Sequence, residues 1–268
     1  MPQSGARDAI VINYSAREPE RPRYFANDHS RDTVVIDARI MPAHDVRGQP
    51  TSLDVEGFML VDHRSVVSDF GDRDAAGKLH CPEIVELVKA LSGADEVFCN
   101  SPPIMRFSER TGKAGSKDNS YPARFAHVDV SDATGRMFAE SRADGRPFRR
   151  AAHYNVWRAL SPAPQDVPLA LCDARSVSGD ELILADAIFD SPGGDWSFEG
   201  YVVAHDPGHR WCWYPDMNAE EALVFKTHDT AVGVARLMPH VAFDDPLSPP
   251  DAAPRVSIEM RAVAYWWG

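Results

Sequence analysis

The sequence predicts a mainly β protein, an antiparallel barrel or jelly roll with flanking helices, and three observations predict it. About eight short runs rich in Val, Ala, Phe, Tyr and Trp follow residue 120, separated by Pro, Gly and Asp clusters at strand-like spacing. At 268 residues, 44% hydrophobic and 25% charged, the chain is long enough to bury one large core, and barrels of this length commonly form one domain. No internal repeat or low-complexity block runs through it, which removes solenoids and propellers.

Taken in order, the first fifty residues are polar and rich in Arg, Asp and Pro; apart from an apolar run over 32–41 they are expected to wrap the surface. A second strand-like run over 57–68 leads to a helix expected to open at Pro82. There Ile84, Leu87, Val88 and Leu91 fall at i, i+3, i+4 and i+7, and Gly93 supplies a stop. Strands are then expected over 124–130, 148–160, 168–177, 181–189, 199–206, 209–214, 222–228 and 255–267. Pro249, Pro250 and Pro254 lie between runs, where they cost no ladder bond. The expected organisation is one domain over 1–268, with 1–118 as wrapping strands and helix and 119–268 as the barrel core.

A net charge of -12 disfavours nucleic acid, which is held by clustered Lys and Arg. No window approaches the roughly 18 apolar residues of a membrane span, and MPQSGARDAIVINYS has no basic n-region followed by an apolar run, so export is not expected. Cys81, Cys99, Cys172 and Cys212 are widely spaced without a CxxC, so free thiols in a cytoplasmic protein are expected. A homodimer is the working expectation for assembly.

The segment Ala123-Arg-Phe-Ala-His127-Val-Asp129 carries an H-x-D. Side chains alternate along a strand, so His127 and Asp129 share a face and offer an imidazole and a carboxylate to one point. With a distal histidine they form the facial triad of non-haem Fe(II) oxygenases, which leaves positions open for other ligands. His240, in Met238-Pro-His-Val-Ala-Phe-Asp244, is the preferred third ligand. By the same alternation Arg255 and Ser257 share a face. A guanidinium fork with a hydroxyl beside it suits a small-molecule carboxylate such as the remote one of 2-oxoglutarate. Glu259 and Arg261 continue that polar face, opposite apolar Val256, Ile258, Met260 and Ala262. Asn155 and Trp157 share a face of their own strand and are expected to line the pocket as an amide donor and an aromatic wall. Trp196, Trp211 and Trp213 are expected near the pocket mouth, where they suit an apolar or ring-bearing substrate.

These features together resemble the 2-oxoglutarate/Fe(II)-dependent oxygenase superfamily. Asn155-Val-Trp-Arg158, Pro168-Leu-Ala-Leu-Cys-Asp-Ala-Arg175, His209-Arg-Trp211, Glu221-Ala-Leu-Val-Phe-Lys226, Pro239-His-Val-Ala-Phe243 and Arg255-Val-Ser-Ile-Glu-Met-Arg261 are similar to one group within it. That group contains the cephamycin 7-alpha-hydroxylation component and the gibberellin desaturase-like and novofumigatonin endoperoxide-forming fungal oxygenases. The resemblance implies a double-stranded β-helix, Fe(II) and 2-oxoglutarate as cofactors, O2 and a small molecule as reactants, and oxidative tailoring by hydroxylation, desaturation or cyclisation. Two positions depart from the pattern: His228 stands where an aromatic is usual, and Val256 where Glu is common.

His209 is the rival third ligand, with Lys226 then free to bind the cosubstrate. His240 is preferred because the distal histidine of the barrel layout precedes the last strand. A cupin-like metal enzyme or a zinc hydrolase would use the same ligands without 2-oxoglutarate, and a non-catalytic barrel would bind a small molecule without needing His127.

Overall fold

The computed structural model describes residues 7–191 and 193–268. Fifteen strands and two α-helices appear in the order β1 (Arg7–Ser15), β2 (Arg23–Phe25), β3 (Ile36–Asp45), β4 (Phe58–Asp62), α1 (Arg73–Ser92), β5 (Glu96–Cys99), β6 (Ile104–Phe107), β7 (His127–Val128), α2 (Asp132–Ala143), β8 (Phe148–Ala159), β9 (Leu169–Cys172), β10 (Leu182–Ser191), β11 (Gly194–Val203), β12 (Trp211–Trp213), β13 (Glu221–Asp229), β14 (His240–Ala242) and β15 (Val256–Trp267). They form a nine-stranded sheet, β1-β3-β12-β9-β14-β7-β11-β10-β2, and a six-stranded sheet, β4-β13-β8-β15-β5 with β6 also on β15. Two such sheets enclosing an interior make the expected jelly roll, the double-stranded β-helix.

Alternation decides what each strand of the six-stranded sheet faces. Tyr154, Val156, Val224, Met260 and Ala262 point outward and pack with Ile84 and Val88 of α1. Trp157, Ala159, Leu223 and Phe225 point inward and meet Leu171 and Cys212 from the other sheet and Met238 from the loop before β14. At one end Ala139 and Ala143 of α2 close over Ala151, Val263 and Tyr265.

The N-terminal stretch departs from the surface wrapping expected of it. Ile10, Ile12 and Tyr14 are buried in the core of the nine-stranded sheet, and only the alternate face, with Val11, is exposed. The helix does not open at Pro82. It starts at Arg73, capped by Asp72, whose side chain accepts from the Ala75 N–H at 3.0 Å, and it runs through Pro82. Burial of Ala76 and His80 extends the packed face enough to outweigh the one donor that proline lacks. Gly93 stops the helix as expected, at φ 68° with its N–H on the Lys89 carbonyl. Helix α2 lies where only β-like runs were expected, set off by Ser131, whose hydroxyl accepts from the Thr134 N–H at 3.1 Å. The run over 124–130 contracts to the two residues of β7. Among the described residues no helix is long and apolar enough to cross a membrane.

Candidate metal centre

Strand β7 lies between β14 and β11 in the nine-stranded sheet, and His127 is in register with His240 directly across the ladder. Residues opposite one another share a face, so both imidazoles point into the space between the sheets. Asp129 follows β7 by one residue, on the same side as His127. One ligand atom each from His127, Asp129 and His240 lie within 4.8 Å of one another, and all three residues are buried. His127 Nε2 is 3.8 Å from Asp129 Oδ1, His240 Nε2 is 3.9 Å from Asp129 Oδ2, and the imidazole centroids are 4.3 Å apart.

Backbone carbonyls fix the imidazoles. His127 Nδ1 donates to Phe125 O at 3.0 Å and His240 Nδ1 to Met238 O at 3.4 Å, which leaves each Nε2 lone pair facing the centre. Burial pushes His127 down to about 3, with the neighbouring His240 adding to the shift, and burial pushes His240 down too. Both are neutral, as metal ligation requires. Burial alone would raise Asp129, but Arg261, His240 and His127 outweigh it and hold the carboxylate well below its usual range. Two donors take its two oxygens: Asn155 Nδ2 on Oδ2 at 2.6 Å and Arg261 Nη2 on Oδ1 at 3.1 Å. Arg261 Nε in turn donates to Glu259 at 3.0 Å.

Arg255 and Ser257 lie on the facing sheet. The Arg255 guanidinium donates through Nη1 to the Val167 carbonyl at 2.8 Å, and the Asp166 carboxylate accepts from the Arg255 backbone N–H at 2.8 Å and from the Ser108 hydroxyl at 2.9 Å. Arg255 Nε and Ser257 Oγ are buried without a hydrogen-bond partner. Burial, then repulsion from Arg106 and Arg124, pushes Arg255 down to about 9. A buried Arg255 Nε and Ser257 hydroxyl left unsatisfied are costly, and an anion beside the Arg255 guanidinium would offset its burial. One cavity is lined by Arg255, Trp157, His127, Asp129 and His240. The residues present therefore fit a divalent metal with a carboxylate-bearing ligand.

The remaining expected residues divide. Asn155 reaches the metal ligand Asp129 rather than the carboxylate pocket, whereas Trp157 lines that pocket, its ring centroid 5.9 Å from the Arg255 guanidinium. His209 is not brought to the centre: its Nδ1 pairs with Tyr14 Oη at 3.1 Å and its Nε2 with Glu181 at 3.0 Å, so neither nitrogen is free for a metal. Lys226 is buried against Asp54 at 2.7 Å and Asp229 at 2.8 Å, and His228 against Asp132 at 3.2 Å. Trp211 and Trp213 lie in the core, Trp211 Nε1 donating to Tyr14 Oη at 2.7 Å, and not at a pocket mouth. Trp196 does lie at one. It stacks on Phe189 at 4.4 Å beside a cavity of about 550 Å³ that Asp129, Phe138 and Phe198 also line. Sequence reasoning missed the grip of Arg261 on Asp129, although alternation had put Arg261 on the correct face. It missed Arg106 altogether, for no motif marks that residue.

The family described as oxidoreductase/YMDC permease-like domain matches residues 12–265. An alpha-ketoglutarate-dependent dioxygenase, phiK, of a fungal species is 29% identical over 86% of this chain and 85% of its own length. The hydroxylase/desaturase CTB9 of Cercospora beticola is 30% identical over 80% and 72%. A solved structure of the iron and alpha-ketoglutarate-dependent endoperoxidase NvfI superposes with a TM-score of 0.82 at 22% identity, over 97% of this chain and 98% of that one.

Proposed function

The chain belongs to the oxidoreductase/YMDC permease-like domain family and groups with alpha-ketoglutarate-dependent dioxygenases and hydroxylase/desaturases, and from that premise we propose how this Fe(II)/2-oxoglutarate-dependent oxygenase is built. His127, Asp129 and His240 hold the iron, and Arg255 with Ser257 holds the far carboxylate of 2-oxoglutarate against the Trp157 wall. One observation carries this reading: two neutral imidazoles and a carboxylate share a cavity with an arginine whose guanidinium pairs with no carboxylate among the described residues.

When bound, Fe(II) and 2-oxoglutarate supply, with O2, the oxidising power to take hydrogen from a substrate C–H bond. The chain contributes order around them. The Phe125 and Met238 carbonyls set the imidazole tautomers; Asn155 and Arg261 fix the carboxylate. The Arg255 fork would hold the cosubstrate by one carboxylate, in the cavity that the triad also lines. Asp129 lines both this pocket and the aromatic cavity of about 550 Å³, so a substrate there reaches the metal from the other side. Phe138, Phe189, Trp196 and Phe198 suit an apolar or ring-bearing small molecule, whose product is a hydroxylated, desaturated or cyclised form.

The enzyme is read as a single domain working in the cytoplasm, a location supported by four free thiols, Cys81, Cys99, Cys172 and Cys212. Anaerobic addition of Fe(II) and 2-oxoglutarate tests the site: chelation of the keto acid at a facial iron with open positions gives a weak visible charge-transfer band. The band is expected in the parent protein, lost in His240→Ala and weakened in Arg255→Ala. Its absence with metal demonstrably bound returns the site to a cupin-like or hydrolytic metal enzyme.

A further inference from the structure

Strand β8 serves each part of the interior in turn. Trp157, Asn155 and His153 alternate onto one face. Trp157 lines the pocket of Arg255, Asn155 donates to the metal ligand Asp129, and His153 lines the aromatic cavity of about 550 Å³. Two strand residues span roughly 7 Å, so His153 is one such step beyond the amide that holds Asp129, on the side away from Trp157. It is buried, at 5% exposure.

A backbone carbonyl decides what His153 presents there. Its Nε2 donates to the Gly135 carbonyl of α2 at 3.0 Å, so the ring proton is on Nε2 and Nδ1 keeps its lone pair. Burial pushes the imidazole down to about 4, with His228 adding to the shift, and it is neutral at ordinary pH. Among the described residues nothing donates to His153 Nδ1. His228 Nδ1 is sealed from solvent without a partner, whereas His153 Nδ1 is not sealed and opens on the cavity. Thr227 lines the same cavity; it is the extra residue where β13 bulges between the pairing of Lys226 with Tyr154 and that of His228 with His153. The Asn155 and Arg261 donors on this floor are already taken by Asp129. His153 therefore offers the cavity a fixed acceptor, and Thr227 a hydroxyl near it.

Resting on the reading above, we infer that His153 is a substrate-binding residue whose Nδ1 accepts a hydrogen bond from a substrate hydroxyl, with Thr227 beside it, so that the enzyme acts on ring-bearing alcohols or phenols. The ring system lies along Phe138, Phe189, Trp196 and Phe198, and the hydroxyl reaches the floor. A ring system without the hydroxyl leaves the buried acceptor dry and unpaired, which is the costly outcome, so His153 discriminates by chemistry rather than by size. The bond also holds the rings at a set distance from Asp129 and thereby selects which C–H bond faces the metal.

The test compares 2-naphthol with 2-methoxynaphthalene, the same rings without the donor proton, by calorimetric titration of the protein loaded with Fe(II) and 2-oxoglutarate in the absence of oxygen. The visible charge-transfer band confirms loading first; its absence with iron bound removes the oxygenase reading itself and is a different result from those that follow. With the band present, the parent protein is expected to bind 2-naphthol more tightly by roughly threefold to tenfold, the worth of one neutral hydrogen bond. His153→Phe is expected to erase that preference and His153→Gln, whose amide keeps an acceptor, to retain part of it. Trp196→Ala is expected to weaken both ligands by the same factor. If His153→Phe does not fold, Thr227→Val, which removes the neighbouring hydroxyl and keeps the shape, is expected to lower the preference. Equal affinity for the two ligands in the parent protein, failure of both to bind, or a preference undiminished in whichever of these two variants folds overturns the assignment and leaves His153 as a support for α2.

Discussion

The Asn155 amide donates to Asp129 Oδ2 at 2.6 Å, reaching from the six-stranded sheet to the short segment that ends β7. With Arg261 on Oδ1, this bond sets which way the carboxylate turns before any metal arrives. Groups that orient a ligand typically contribute 10- to 100-fold to metal affinity. Asn155→Leu, nearly isosteric, is therefore expected to weaken Fe(II) binding by about that factor and to leave the fold intact. Competitive chelator titration measures the first and thermal unfolding the second. Unchanged metal affinity would mean that Arg261 alone suffices.

His209 and His240 are both buried histidines from similar family-like motifs, and their partners assign them opposite roles. His240→Ala is expected to abolish stoichiometric metal binding while costing less stability, since among the described residues the ring's hydrogen bond is a long one, to Met238 O at 3.4 Å. His209→Ala is expected to do the reverse. It removes one hydrogen-bond partner from each of Tyr14 and Glu181, at a cost of about 1–3 kcal/mol, with metal affinity kept. Metal titration beside urea unfolding of the two variants separates them, and loss of metal in His209→Ala would reverse the assignment.

Legibility in the sequence followed the range over which each cause acts. Alternation is local, so the shared faces of His127 with Asp129 and of Arg255, Ser257, Glu259 and Arg261 were readable without knowing any neighbour. The choice of His240 came from chain order in the barrel, and its register with His127 gives that order a physical form. Arg106 was not readable. Its place opposite Ser257 depends on β6 pairing with β15 across some 150 residues, which no local pattern encodes. Helix α2 was missed because its buried positions are Thr134, Gly135, Ala139 and Ala143, too small to stand out as an apolar stripe. The same holds for β1, where Ile10, Ile12 and Tyr14 alternate correctly but lie within a stretch whose overall composition is polar.

Gly200 of β11 is the place where the backbone crowds the metal centre. A methyl group there would sit 2.9 Å from the Asp129 carbonyl oxygen, 3.0 Å from that of Val128 and 2.9 Å from Tyr24 Oη. Two of these neighbours are backbone and cannot rotate away, so Gly200→Ala must push β7 and β11 apart. The expected cost is about 1–3 kcal/mol, accompanied by weaker Fe(II) binding as Asp129 shifts. Gly179→Ala, with nothing within 4 Å of the new methyl, is the control and should leave both quantities unchanged. Equal behaviour of the two variants would show that the strands have slack at this point.

Acid should act on the fold through His153. The residue is buried, its Nε2 donates to the Gly135 carbonyl at 3.0 Å, and its ring lies 5.7 Å from that of His228. Burial pushes it down to about 4, with His228 adding to the shift and Asp229 opposing it. In the unfolded chain the same imidazole titrates near 6.5, so between the two values the unfolded state binds more protons and stability rises with pH. The contribution is fully present above about 6.5 and is lost as pH falls towards about 4, at about 1.4 kcal/mol per unit and roughly 3 kcal/mol in all. His153→Gln keeps an amide donor for Gly135 and removes the titration. Urea unfolding of both proteins at several pH values across that interval should give a flatter profile for the variant, and parallel profiles would show that His153 is not what acid attacks.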